Sequence, residues 1–217
     1  MLQRLLCLLL GYLCGCFLTA ELVARARTGK SAAALGTGNP GMANLAHELG
    51  KGWGAVVLAG DIAKTALAFG LCRALFPALG GLSAGLGAVL GHNFPLWRGF
   101  RGGKGVAVTC AALILFSPLW GTAACLSGLA VTLLSGWLPL GAVVIPALFV
   151  PPAFLCHGRE AGLLALILAL IMLSRHIRGL GRILRGGGGA EIPRPLSPLR
   201  GSRKILRILP FRRRFVV

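Results

Sequence analysis

The chain is written in apolar blocks separated by short polar or glycine-rich breaks. Leu2 to Ala24 is the first block, interrupted only by Gln3, Arg4 and Glu21 near its ends. It is long enough for a bilayer core that needs about 20 residues, so it predicts a first membrane helix. Arg25 to Lys51 then changes character: it is polar, rich in Gly and Asn, and holds Arg25, Arg27, Lys30, His47, Glu48 and Lys51. Trp53 to Phe76 is the second predicted span, with Asp61 and Lys64 three residues apart on one helical face, where each offsets the other's cost in hydrocarbon. Leu79 to Phe94 predicts a short, glycine-dotted third helix stopped by Pro95. Val106 to Phe116, Trp120 to Leu134, Leu138 to Leu155 and Gly162 to Leu173 follow as a fourth to a seventh, with Ser117-Pro118 as a turn. Several are shorter than a full span, so five to seven transmembrane helices are expected, tilted or sheltered by neighbours. The expected fold class is all-α, a polytopic membrane protein.

Seven spans place four segments on one face: Arg25–Lys51, Arg98–Lys104, Ser135–Leu140 and the C-terminal tail. The other face shows Arg73, Arg159 and Glu160. Positive charge gathers on the first face, which is therefore expected in the cytoplasm of a bacterial cell membrane, with the N-terminus outside.

Composition agrees with this class. Of 217 residues, 56% are hydrophobic and 13% charged, against about 25% charge in a soluble domain. The net charge of +18 would suggest nucleic acid in a soluble protein, but 12 of the 23 Lys and Arg lie from Arg175 onward, beside apolar segments. That distribution suits anionic lipid heads, and no nucleic-acid partner is expected. The seven cysteines lie almost wholly inside apolar runs without a C-x-x-C pair, and are expected to be small buried hydrophobes.

Two breaks carry candidate chemistry. Gly36-Thr37-Gly38-Asn39-Pro40-Gly41 fits G-x-G-x-x-G, but it follows a membrane helix rather than a strand, so a dinucleotide fold is not expected. What remains is a loop able to offer N–H groups, a Thr hydroxyl and the amides of Asn39 and Asn44 to a polar ligand. Gly91 to Gly105 is cationic and glycine-rich, and leads into the helix expected from Val106, whose first turn would offer N–H groups and a positive dipole end to an anion. It fails as a Walker A loop because Arg98 stands at its first Gly and Gly105 at its Ser/Thr.

Together these residues resemble the bacterial acyl-phosphate:glycerol-3-phosphate acyltransferases, membrane enzymes that make lysophosphatidic acid. The family's Ser-Gly-Asn-x-Gly-Ala-Thr-Asn is met by Thr37 to Asn44. Its Gly-His-x-Phe-Pro-x-Phe-x-Gly-Phe-x-Gly-Gly-Lys-Gly-Val-Ala is met by Gly91 to Ala107, with Trp97 for Phe. Asp61-Ile62-x-Lys64, Leu134-Ser135-Gly136 and Leu140-Gly141-Ala142 fall in family order, so the resemblance covers roughly Leu2 to Gly186.

The resemblance implies transfer of a fatty acyl group from acyl phosphate to the 1-hydroxyl of glycerol 3-phosphate. No coenzyme A, carrier protein, metal or other cofactor is implied. The implied partners are acyl phosphate, glycerol 3-phosphate, membrane lipids and the soluble enzyme that produces the acyl phosphate. By family position Lys104 grips a substrate phosphate, while the N–H groups of Gly102 and Gly103 and the first loop (Thr37, Gly38, Asn39, Gly41, Asn44, His47) cradle the other. His92 and His176 are the candidate bases: His92 alternatively fixes the loop, and His176, in a match to Arg-His-x-x-Asn-Ile-x-Arg that ends at Arg182, alternatively bonds phosphate. The departing phosphate is a third acceptor for the proton.

This chain departs from the family at His47 for Arg, Met42-Ala43 for Ala-Thr, Leu138-Pro139 for Ser-Ser and Gly179 for Asn. Unlike an arginine, a histidine carries no permanent charge. A degenerate paralogue that binds phosphorylated ligands without turnover, or a small transporter using Asp61 and Lys64, are the alternatives. Residues 1–186 form the expected membrane domain, and 187–217 a basic cytoplasmic tail, flexible or lying on the membrane surface.

Overall fold

The computed structural model describes residues 2–77 and 79–185, so the basic tail expected from residue 187 lies outside the described residues. Among the described residues the structure is helical: α1 (Leu2–Gly15), α2 (Thr19–Thr28), α3 (Met42–Leu49), α4 (Lys51–Leu75), α5 (Gly80–Asn93), α6 (Val106–Phe116), α7 (Pro118–Ser135) and α8 (Leu138–Leu184), with single 3-10 turns at Ala32–Ala34 and Leu96–Arg98. Four stretches are long and apolar enough to cross a membrane: Leu2–Thr28, Lys51–Leu75, Pro118–Ser135 and Leu138–Leu184.

The last of these holds two of the expected spans. Gly158 leaves helical geometry at φ 86°, ψ 174°, and beyond it the chain doubles back. A Cβ on Gly162 would overlap the Phe154 ring, and one on Gly179 would crowd Pro139, the register of an antiparallel hairpin. Pro146, Pro151 and Pro152 sit inside its first arm, where packing against neighbouring helices offsets the lost backbone hydrogen bonds.

Neighbour pairs give the direction of every segment. Gly11 abuts Ala84 and Gly15 abuts Ala88, so α1 and α5 run parallel. Cys72 meets Cys7 and Lys64 meets Gly15, so α4 runs against α1. Gly85 faces Ala112, Gly121 faces Leu113 and Gly128 faces Ile145, so α5, α6, α7 and the first arm of α8 alternate in turn. Seven traversing segments result, within the expected five to seven. The Gly29–Gly50 loop, the Pro95–Gly105 turn, the Ser135–Leu138 corner and the end of α8 share one end of the bundle.

The two short helices are housed as expected. At about 1.5 Å per residue, α5 and α6 fall well below a bilayer core about 30 Å thick. All but one of the residues of α5 are buried, including Gly80, Gly81, Gly85, Gly87 and Gly91. These small residues let backbones approach closely, as helix packing in lipid prefers. The core around it contains Leu82, Leu86, Val89, Val108, Leu113, Phe149 and Leu168. Leu71, Leu133, Leu134 and Leu155 are exposed on the outer faces, where hydrocarbon covers them.

The first predicted span differs in one respect. Instead of one helix over Leu2 to Ala24, the chain breaks at Cys16–Leu18 and resumes as α2 to Thr28, where Gly29 closes it in left-handed geometry. Apolarity is continuous across the break, so nothing in the local pattern marks it. Distant donors stabilise it: Lys64 Nζ reaches Phe17 O at 2.8 Å and Gly15 O at 3.3 Å, and Trp97 Nε1 donates to Cys16 O at 3.1 Å. Carbonyls released by a helix end inside a membrane need such partners.

Candidate active site

The shared end is organised by the Pro95–Gly105 turn. Phe100 (φ 61°) and Gly105 (φ 76°) both adopt left-handed backbone, which lets the chain fold back onto the end of α5. Gly102 N–H donates to Asn93 O at 3.1 Å and Gly103 N–H to His92 O at 3.0 Å. From the other side, Arg175 Nη2 on α8 donates to Gly102 O and Gly103 O at 3.2 and 3.0 Å, with its guanidinium 5.0 Å over the Phe94 ring. A Cβ on Gly102 would overlap His92 O, and one on Gly103 would overlap His92 Nε2. These glycines are needed for close packing. Both N–H groups, expected as donors to a phosphate, are bound to carbonyls in the structure.

Between that clamped turn and α6 sits Lys104, half-buried and without an ion pair or hydrogen bond to any of the described residues. The first main-chain bond into α6 is Thr109 N–H to Gly105 O, so the N–H groups ahead of it carry the orphan donors of a helix start. Lysine and helix start together make a place for an anion.

Beneath the turn lies a buried cluster that joins three elements. Lys64 Nζ is 2.8 Å from Asp61 Oδ1, one turn away on α4, and 2.9 Å from His92 Nδ1 on α5. Asp61 Oδ1 is 3.5 Å from the same ring nitrogen. All three side chains are buried, and His92 is only 4% exposed. A general base must reach the proton it removes, and His92 has one ring nitrogen against an ammonium and the other against Gly103. Of the two parts foreseen for it, the structure supports fixing the loop.

The first loop is held internally. Asn44, buried, accepts from Thr37 N–H (2.8 Å) and Thr37 Oγ1 (3.1 Å), and donates to Leu35 O (3.0 Å). Its amide, expected among the substrate contacts, braces the loop in the structure. Thr37 is exposed; Gly38, Asn39 and Gly41 are partly exposed, and Gly38 takes φ 73°. His47 is exposed and lies 2.8 Å from Glu48 Oε1. Glu21 on α2 accepts from Ser31 Oγ, Ala32 N–H and Arg25 Nε, and pairs with Arg98 Nη1 at 3.3 Å. Arg98 Nη2 also donates to Ser31 Oγ at 3.2 Å. The Glu21–Arg98 pair therefore ties the first loop to the glycine-rich turn.

From α8, His176 is buried with Nδ1 3.0 Å from Met172 O. A carbonyl only accepts, so Nδ1 carries a proton. Arg182 is exposed in the last turn. The structure thus brings Gly102, Gly103, Lys104 and His92 into one assembly with Arg175, and places His176, Arg182 and the first loop at the same end of the bundle. Sequence reasoning missed Arg175, Arg98 and Glu21. Their signals were slight: Arg175 opens the Arg-His motif, and Glu21 is the one acid in the first apolar run. Among the described residues, no three His, Cys, Asp or Glu side chains gather to hold a metal ion.

Residues 5–186 match the glycerol-3-phosphate acyltransferase family model. The chain is 36% identical over 183 residues to glycerol-3-phosphate acyltransferase 1 of Lactobacillus johnsonii, covering 83% of this chain and 89% of that protein. It is 31% identical over 195 residues to the glycerol-3-phosphate acyltransferase of Alkaliphilus metalliredigens, covering 89% and 98%. Among solved structures it resembles PlsY, an integral membrane glycerol 3-phosphate acyltransferase, in its glycerol 3-phosphate form. There the TM-score is 0.78 at 25% identity, covering 86% of this chain and 94% of that one. The lysophosphatidic acid form gives a TM-score of 0.76 with the same coverage.

Proposed function

The chain belongs to the glycerol-3-phosphate acyltransferase family, and on that premise we propose that this integral membrane protein transfers a fatty acyl group from acyl phosphate to the 1-hydroxyl of glycerol 3-phosphate, forming lysophosphatidic acid. The observation that carries the reading is Lys104: a cation without an ion pair among the described residues, beside the α6 N-terminus, on a turn clamped from both sides. Both substrates carry phosphate, and a rigid cationic site can hold one of them in position for attack.

In the step itself the acceptor hydroxyl oxygen attacks the acyl carbonyl carbon and the ester C–O bond forms. The bond between that carbon and the phosphate oxygen breaks, and phosphate leaves with the electron pair. The hydroxyl proton passes to the departing phosphate, since His176, at 1% exposed, is buried like His92. Lys104 and the first N–H groups of α6 offset negative charge on the reacting phosphate. The partly exposed edge of the first loop, Thr37 to Gly41, with His47 and Arg182, supplies the second phosphate's contacts. The soluble enzyme that makes acyl phosphate is the source of the donor.

The site faces the cytoplasm of a bacterial cell membrane. The positive-inside rule supports this, since Arg25, Arg27, Lys30, Arg101, Lys104 and Arg178 gather at its end, against Arg4, Arg73 and Arg159 at the other. The test is direct. Purified protein given acyl phosphate and glycerol 3-phosphate releases phosphate and forms lysophosphatidic acid, and Lys104→Ala lowers the rate by about 100-fold or more. Acyl phosphate bound without product would show a degenerate paralogue. Product formed only from acyl-coenzyme A or acyl-carrier protein would overturn the donor.

A further inference from the structure

The Asp61–Lys64–His92 cluster is buried below the turn and touches it at one residue. Lys64 has three N–H donors and no acceptor. They are taken by Phe17 O (2.8 Å), His92 Nδ1 (2.9 Å) and Gly15 O (3.3 Å), while Asp61 Oδ1 forms an ion pair with the ammonium at 2.8 Å. An ammonium facing Nδ1 obliges that nitrogen to accept, so the imidazole proton sits on Nε2. Nε2 is the atom against which Gly103 packs, and Gly103 N–H in turn binds the His92 carbonyl. Lys104 is the next residue. Counter-charge explains the composition of the cluster: Asp61 neutralises Lys64, so the relay carries no net charge into the membrane.

We propose that Asp61, Lys64 and His92 form a positioning relay for the catalytic turn, in which Lys64 holds the His92 ring in its Nε2–H form and ring and carbonyl together fix Gly103 and aim Lys104. Lys64 is at the same time bound to the break between α1 and α2. One side chain therefore couples the first span, α4, α5 and the turn. None of the three is a catalytic residue: each acts through Gly103.

The kinetic arm of the test rests on the acyl-transfer reading; the spectroscopic arm does not. The chain has four histidines, so 15N-histidine spectra of the parent protein in lipid, with His92→Gln identifying the His92 signals, report its tautomer. The Nε2-protonated form is expected, and an Nδ1-protonated or doubly protonated ring overturns the relay. In the neutral double variant Asp61→Asn/Lys64→Met, with an unfolding midpoint near that of the parent, kcat falls by about tenfold or more while KM for both substrates moves less than about threefold. His92→Gln, whose amide replaces both hydrogen-bonding positions, retains more activity than His92→Ala and an unaltered pH profile. A folded double variant with parental kcat, or a His92→Gln profile that loses its pH dependence, overturns the proposal. If the double variant does not fold, the parent tautomer decides. If the parent makes no lysophosphatidic acid, the acyl-transfer reading fails while the tautomer still tests the relay.

Discussion

Gly103 has no room for a side chain, because a Cβ there would overlap His92 Nε2 and neither the ring nor the α5 end can move without disturbing Lys64. Gly103→Ala is therefore expected to shift the turn and lower kcat/KM by about 10–100-fold, with little loss of expression. Gly52→Ala is the control: it meets nothing within 4 Å on α4 and should be neutral or slightly stabilising. An equal effect of both would remove the turn's special status. His47 presents a second residue-scale question. It is exposed and lies beside Glu48, in a loop whose other polar side chains brace one another. His47→Arg should lower the half-saturating glycerol 3-phosphate concentration by about tenfold, the worth of one charge-assisted hydrogen bond of about 1.5 kcal/mol. An unchanged saturation curve would place His47 outside the acceptor site.

Helix α5 shows how an element of 14 residues, shorter than the bilayer core, serves as a traversing segment of a membrane protein. It is wrapped on all sides, and its seam with α1 is made by glycines of both helices and alanines of α5: Gly11 on Ala84, Gly15 on Ala88, Gly87 on Leu8 O and Gly91 on Tyr12 O. Parallel helices joined by a short separation hold their register here through backbone contact rather than side-chain interdigitation. Gly87→Leu would drive a side chain into the backbone of α1, and is expected to lower the thermal midpoint by several degrees at a cost of about 1–3 kcal/mol or more. An unaffected midpoint would show that the seam is loose. Because α5 also carries His92 and Asn93, which hold Gly102 and Gly103, a shift along this seam propagates to the turn. Activity in Gly87→Leu should fall more steeply than stability.

For the whole molecule, seven alternating segments put the N-terminus and the end of α8 on opposite sides. Cys156, beside the Gly158 reversal, lies at the end remote from Lys104 and is the exposed thiol of the chain. A membrane-impermeant maleimide added to intact cells should label Cys156, whereas Ala34→Cys in the first loop should react only after permeabilisation. The opposite pattern would invert the orientation. That remote end has its own fastenings, the Arg4–Glu160 pair and His157 Nε2 3.1 Å from Ser117 Oγ. They close the α6–α7 corner and the α8 hairpin without contributing to the site.

Much of this architecture is legible in the order of residues. Block lengths of apolar residues bound the number of traversing segments at five to seven, and the Gly91–Ala107 pattern marks the turn and its lysine, because each depends on neighbours along the chain. The break at Cys16–Leu18 was not legible, since its stabilising donors, Lys64 and Trp97, lie 47 and 81 positions away from the carbonyls they bind. Nor was the use of the Gly102 and Gly103 N–H groups, which look available in a glycine-rich loop until the carbonyls of Asn93 and His92 are brought against them. By itself, the sequence determined the membrane class, a range of five to seven segments and the residue types of the glycine-rich turn. Tertiary structure alone decided which of those groups are already satisfied and which remain for a ligand. Hydrogen bonds form between whatever groups folding brings within about 3 Å, and chain order does not record that distance.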